Sequence, residues 1–268
     1  MAEKVRFKIV QWRSGDSVEK NLAFILSRIE EAQKGTTIIF PEYSMLYPDY
    51  LNIERFIEQA QDSSDSFVKS ISESAKRHSV DIIINFVEKN YGKPLNTSLH
   101  INSSGKISGR YSKTHLFDSY GFMESNLYQK GHSIPEPFLL HGKFPVGIEI
   151  CYDIRFPEIA RLYSLMGAQI IIVQAGFYKG NYKYETWSTL LKARAMENGV
   201  FVIAADQCGE DFLGHSMVVN PYGQVDGELG EEEGDLEAEI DMAMVQEYRD
   251  SVPVIKHRRI DLYDVRGL

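Results

Sequence analysis

The chain has 268 residues, 43% hydrophobic and 25% charged, which is ample material for a globular core. Lys and Arg total 29 and Asp and Glu 38, a net charge of -9 that disfavours nucleic acid and anionic membrane as partners and leaves a small-molecule partner open. Two cysteines, Cys151 and Cys208, are too few for a disulfide framework, so a reducing cytoplasm is the default compartment.

No apolar stretch of the secretory kind follows Met1-Ala2-Glu3-Lys4-Val5-Arg6. Residues 7–12 read as a strand. Residues 17–34 read as an amphipathic helix, with Leu22, Ile25, Leu26 and Ile29 at helical spacing and Gly35 as its stop. Residues 37–40 are a buried strand, 53–78 are mainly helical, and 81–86 are the next strand. Residues 97–102 and 107–111 pair as a hairpin around Ser103-Ser104-Gly105. The second half repeats this grammar. Residues 143–150 form a strand, 157–166 a helix closed by Gly167, 169–174 a strand, 185–197 a helix and 199–205 a strand. Residues 215–219 and 224–227 make a second hairpin around Asn220-Pro221-Tyr222-Gly223. The longest apolar runs, such as Ile170-Ile171-Ile172-Val173, are strand-sized and far short of the ~20 residues of a membrane span. Glu231-Glu232-Glu233 reads as a solvated loop. No linker divides the halves, so residues 1–268 are read as one α/β domain of mixed sheets covered by helices.

Three residues at strand ends carry chemistry. Glu42 follows Thr37-Ile38-Ile39-Phe40-Pro41, Lys113 follows Gly109-Arg110-Tyr111-Ser112, and Cys151 follows Val146-Gly147-Ile148-Glu149-Ile150. A carboxylate, an amine and a thiol are the parts of a cysteine hydrolase: base, oxyanion donor and nucleophile. Each has a plainer reading alone. A lone cysteine by an apolar strand is usually inert, and a loop glutamate or turn lysine is usually solvated. The flanks argue the other way. Phe40, Pro41 and Tyr43 surround Glu42 with bulk, the partial burial that makes a carboxylate a useful base. Lys113 precedes the apolar Leu116-Phe117. Cys151 begins a strand-to-helix passage, where free backbone N–H groups and the helix dipole favour a thiolate and can hold an oxyanion.

Together these segments resemble the nitrilase, or carbon–nitrogen hydrolase, superfamily. The likeness runs through Phe40-Pro41-Glu42, residues 111–118 and 147–158, Lys192-Ala193-Arg194-Ala195-Met196-Glu197-Asn198, and Gly214-His215-Ser216-Met217-Val218-Val219-Asn220-Pro221-Tyr222-Gly223. It covers nearly the whole chain in order. The resemblance implies a four-layer α-β-β-α sandwich that pairs across a homodimer or builds a larger homo-oligomer, and no metal or organic cofactor. It places a catalytic triad on Glu42, Lys113 and Cys151. It places a second glutamate on Glu124, to orient the substrate amide or Lys113.

The implied reaction is hydrolysis of a small amide to ammonia and an acid through a thioester on Cys151. Tyr152-Asp153 after the nucleophile resembles the amide-cleaving branches, where nitrile-cleaving members show Trp-Glu. Arg155 matches a position that meets a substrate carboxylate in ω-amidase-like members, which points to an ω-amide of a dicarboxylate. Its plainer reading is an ion pair with Glu158. Thr186-Trp187-Ser188 stands where many close relatives show His-Trp-Glu; Trp187 is a substrate contact or helix core. The tyrosine- and lysine-rich residues 176–184 are expected to border the pocket. Tyr152 supplies a backbone N–H to the oxyanion. Cys208 receives no role. Alternatives are an N-carbamoyl-amide hydrolase or nitrilase of the same superfamily, and a non-catalytic binding module or thiol sensor. The intact Glu-Lys-Cys set and the lack of a resolving cysteine near Cys151 argue against the last. The segment from residue 248 to 268 is a candidate interface.

Overall fold

Val5, Phe7 and Ile9 alternate with Arg6 and Lys8 along β1 (Lys4–Gln11), the period-two pattern that buries one face of a strand. In the computed structural model, which describes residues 3–262, β1 lies inside a six-stranded mixed sheet. It is followed by α1 (Val18–Glu30), β2 (Thr37–Ile39), α2 (Ile53–Glu58), α3 (Ser66–His78), β3 (Asp81–Glu88), β4 (Leu95–Ile101) and β5 (Ile107–Ser112). A two-stranded ribbon of β6 (Asp118–Ser119) and β7 (Phe122–Met123) leads to a 3₁₀ turn at Glu124–Asn126. The second half runs β8 (Phe138–Leu140), β9 (Phe144–Ile150), a 3₁₀ helix at Cys151–Arg155, α4 (Pro157–Leu165), β10 (Ile170–Ala175), α5 (Lys183–Asn198) and β11 (Phe201–Asp206). It closes with β12 (Met217–Val219), β13 (Val225–Glu228), β14 (Gly234–Asp241) and α6 (Ala243–Ser251).

The sheets run β14-β1-β2-β3-β4-β5 and β13-β12-β11-β10-β9-β8. Each has a parallel centre, β1-β2-β3 and β9-β10-β11, flanked by antiparallel strands. On the first sheet, Ile25 and Ile29 of α1 and Phe67 and Ile71 of α3 pack on Val10, Ile38, Ile82 and Ile84. On the second, Gly147 of β9 faces the ring of Tyr163 in α4, so by alternation Val146, Ile148 and Ile150 face the other sheet. There they share one core with Val5, Phe7, Ile9, Ile39 and Ile83. The layers are thus helix, sheet, sheet, helix, the sandwich expected.

Several boundaries differ from the sequence reading. The helical stretch 53–78 is two helices, parted where Gln61 leaves to bridge Glu88. α1 stops at Glu30, and Gly35 serves the following turn at φ 77°. Glu231-Glu232-Glu233 is exposed but not merely solvated: Gln11 Nε2 donates to the Glu232 carbonyl and Lys179 pairs with Glu231. Of the candidate interface, residues 263–268 lie outside the described part. Among the described residues no helix is long and apolar enough to cross a membrane.

Candidate active site

Glu42 comes three residues after β2, Lys113 directly after β5, Cys151 directly after β9, and Gly176 directly after β10. All four leave the carboxyl ends of strands, where backbone no longer committed to a ladder can face a ligand. Hydrogen bonds show how closely they meet. Lys113 Nζ lies 2.8 Å from Glu42 Oε1 and 2.9 Å from Glu124. Gly176 N–H donates to Glu42 Oε2 at 2.9 Å, and the Cys151 thiol points at the Gly176 carbonyl, 3.8 Å away.

Glu42 and Glu124 are fully buried and Lys113 nearly so. The surroundings of Glu42 are not the apolar shell expected but a set of donors: Lys113, the Gly176 amide and Asn96 Nδ2 at 2.8 Å. Asn96 also reaches Glu124 at 3.3 Å and is itself held by Asn85 at 2.7 Å. Asn96 and Asn85 were not foreseen, because single asparagines in strands look ordinary until the fold shows what they face.

Charge balance sets the protonation. Burial alone would lower the Lys113 ammonium, but Glu124 and Glu42 beside it hold its pKa well above the ordinary lysine value. Burial raises the Glu124 carboxyl, with Lys113 pulling it back and the Glu42 charge adding to the rise. Burial and the Glu42 charge push the Cys151 thiol well up, against the pull of Lys113. This reverses the expectation from a helix start. A five-residue 3₁₀ turn has little dipole to set against burial and the Glu42 charge, which favour the neutral thiol.

The turn carrying Cys151 is tightly specified. Cys151 sits at φ 48°, the left-handed region that few non-glycine residues occupy. Asp153 locks it. One carboxylate oxygen accepts the Ile150 amide at 3.1 Å and the Tyr111 hydroxyl at 2.7 Å, and the other accepts the His115 amide at 3.0 Å. Asp153 thereby ties the Cys151 turn to the chain just past Lys113. A narrow cleft with only about 20 Å³ of free space, partly open to solvent, is lined by Lys113, Cys151, Tyr152, Arg155, Tyr178 and Lys183 among others.

The structure therefore gathers Glu42, Lys113, Cys151 and Glu124, and brings Tyr152 and Arg155 to the same pocket. Arg155 makes no ion pair with Glu158 or any other carboxylate among the described residues. Trp187 is not brought to the pocket surface. It is fully buried on the inner face of α5, donates to the His215 carbonyl at 2.9 Å and packs behind Phe177. Tyr178 and Lys183, in the segment expected to border the pocket, do line it. Cys208 is buried, with its thiol pushed up to about 12 by burial.

The fold is a two-sheet sandwich covered by helices, with the pocket at its strand ends. The carbon-nitrogen hydrolase family model matches residues 9–250, and the chain belongs to that family. It is similar to the 2-oxoglutaramate amidase of Bacillus subtilis (strain 168), 32% identical over 264 residues covering 97% of each chain. It is also similar to the deaminated glutathione amidase of Escherichia coli O157:H7, 31% identical over 90% of this chain and 92% of that protein. Among solved structures, the Caenorhabditis elegans NitFhit protein matches with a TM-score of 0.88 at 32% identity, covering 98% of this chain and 67% of that one.

Proposed function

We propose that this enzyme is a cysteine amidase that hydrolyses a small ω-amide of a dicarboxylic acid to ammonia and the free acid, with Glu42, Lys113, Cys151 and Glu124 as its catalytic set. The observation that carries this reading is the buried Lys113 held between two carboxylates in the pocket that Cys151 lines. Among the described residues Glu42 Oε2 accepts only the Gly176 amide, which leaves a lone pair for a proton. As the Cys151 sulfur bonds to the amide carbon, Glu42 takes the thiol proton. The oxyanion that forms is held by the Lys113 ammonium and the Tyr152 N–H, which stands in the first turn of a helix where amides lack intrahelical acceptors. Glu42 then passes its proton to the nitrogen, the C–N bond breaks and ammonia leaves a thioester. Water attacks next, giving its proton to Glu42, and the acid departs as Cys151 regains the proton. Glu124 keeps Lys113 charged and aimed.

The relatives' names support an amide with a carboxylate at its far end, and Arg155, unpaired in the pocket, offers a guanidinium fork for it. The test is ammonia release from ω-amides, neutral amides, carbamoyl compounds and nitriles, beside Cys151→Ala. Release from ω-amides that disappears in the variant is expected. Turnover restricted to carbamoyl compounds or nitriles would replace the amidase reading with one of its relatives. The same reading takes residues 1–268 as one hydrolase domain, working in a reducing cytoplasm as a homodimer or larger assembly. Its supports are two unpaired cysteines and the family's pairing of sandwiches.

A further inference from the structure

Two cations converge on the mouth of the Cys151 pocket with no carboxylate to meet them. Arg155 and Lys183 both line it. Both stand over the ring of Phe177, with Arg155 Cζ 5.7 Å and Lys183 Nζ 5.3 Å from its centroid. Lys183 also lies 4.7 Å from the Tyr120 ring and 6.0 Å from that of Phe117. Neither takes part in an ion pair among the described residues, although the chain carries nine more acidic than basic side chains. These two find aromatic faces and each other.

The arrangement is unfavourable on three counts when the pocket is empty. Partial burial and the charge of Arg155 both disfavour the charged form of Lys183, lowering its pKa. Lys183 is also the first residue of the sixteen-residue α5, where the helix dipole opposes a cation. No side chain caps that end, and the residue before it, Tyr182, sits at φ 61°. One negative charge between Arg155 and Lys183 relieves the repulsion, the desolvation and the dipole together.

Resting on the amidase reading above, we propose that Lys183 is a specificity residue: with Arg155 it forms a two-cation clamp that holds one carboxylate at the far end of the amide substrate. The aromatic rings fix the two cations without using up their donors, since a ring face attracts a cation but takes no hydrogen bond of carboxylate strength. The planar guanidinium suits a bidentate grip, and the ammonium adds a point charge from the other side. The substrate class is an acyclic amide whose non-reacting end is anionic.

The test compares succinamate with butyramide, an uncharged amide of the same length, in the wild type, Lys183→Met, Arg155→Met, the double variant and Lys183→Arg. For succinamate, Lys183→Met raises KM by about 10-fold or more with kcat little changed, the loss of one charge-assisted hydrogen bond. Butyramide kinetics stay within about 2-fold, and Lys183→Arg recovers most of the loss. Because both cations hold the same anion, the double variant loses less than the product of the single losses. Equal effects of Lys183→Met on both amides, or none on either, overturn the clamp, and strictly multiplicative losses overturn the shared carboxylate. If the wild type releases ammonia from neither amide, the amidase reading fails and the clamp is judged separately by calorimetry with succinate. Binding that Lys183→Met abolishes upholds it; no binding to the wild type overturns it.

Discussion

Without the Lys113 ammonium, Glu42 and Glu124 would face each other, both buried, with only Asn96 among the described residues bridging them. Uncompensated buried charge is strongly destabilising, so Lys113→Met is expected to lose about 3–5 kcal/mol of stability as well as its oxyanion donor. Adding Glu124→Gln restores part of the melting temperature and none of the ammonia release. A Lys113→Met protein that melts with the wild type would refute this charge balance. Glu149 tells a related story. It is fully buried on β9, neither oxygen has a hydrogen-bond partner among the described residues, and burial, then Asp153, raises its carboxyl well above the ordinary value. A raised carboxyl subtracts stability as pH climbs past the unfolded value near ~4.3, because only the unfolded chain ionises freely there. Glu149→Gln should therefore match the wild type in melting at about pH 4 and exceed it increasingly toward neutral pH; a constant difference would show that ionisation is not the cause. At this scale the sequence revealed the residues that stand at strand ends inside extended motifs, Glu42, Lys113 and Cys151. It hid Asn96, whose meaning lies in what other segments bring beside it, and placed Lys183 only within a segment expected to border the pocket.

Among elements, the approach of α4 to β9 positions Cys151, the proposed nucleophile. A Cβ on Gly147 would stand 2.4 Å from the Tyr163 ring, so only glycine lets the helix pack down on the strand that ends at Cys151. Gly147→Ala is expected to destabilise the fold by about 1–3 kcal/mol and to lower kcat, as the strand end shifts under Asp153. Urea denaturation and steady-state kinetics on one preparation check both; an unchanged midpoint would mean that α4 yields freely. The elements foreseen are those whose period is plain, such as α1 with its apolar stripe. The strand β14 was missed, although it pairs with β1 over eight residues. Its apolar face, Leu236, Ala238 and Ile240, alternates with Asp235, Glu237 and Glu239, so acidic side chains on the solvent face masked a strand. The two helices read as one share apolar spacing, and only the bridge between Gln61 and Glu88 reveals the break.

Across the whole molecule, the two sheets are joined at one edge by a polar network absent from the sequence reading. Asp81 of β3 meets His100 of β4 at 2.9 Å, and His100 meets Ser108 of β5 at 2.8 Å. His141, in the turn between β8 and β9, lies 3.7 Å from Asp81 and 3.1 Å from Thr37 of β2. Burial pushes the Asp81 carboxyl up, but the His100 hydrogen bond and the histidine charges outweigh it and leave the pKa lowered. A lowered carboxyl gives stability that is present above the unfolded value near ~3.9 and is lost as pH falls through the folded one. Asp81→Asn is thus expected to be less stable by about 1–3 kcal/mol at neutral pH, with a flatter decline below about pH 4. Parallel acid-unfolding curves for the two proteins would disprove the linkage.

The proposed mechanism turns on one chemical event, attack of Cys151 on an amide carbon. Its most direct measurement is the mass of the whole protein after acid quenching in the first turnovers of an ω-amide. A fraction of the chain should be heavier by the acyl group, with the added mass on the peptide that contains Cys151, and Cys151→Ala should show neither adduct nor ammonia. Undiminished ammonia release by Cys151→Ala would contradict the thiol as nucleophile and with it the roles given to Glu42 and Lys113.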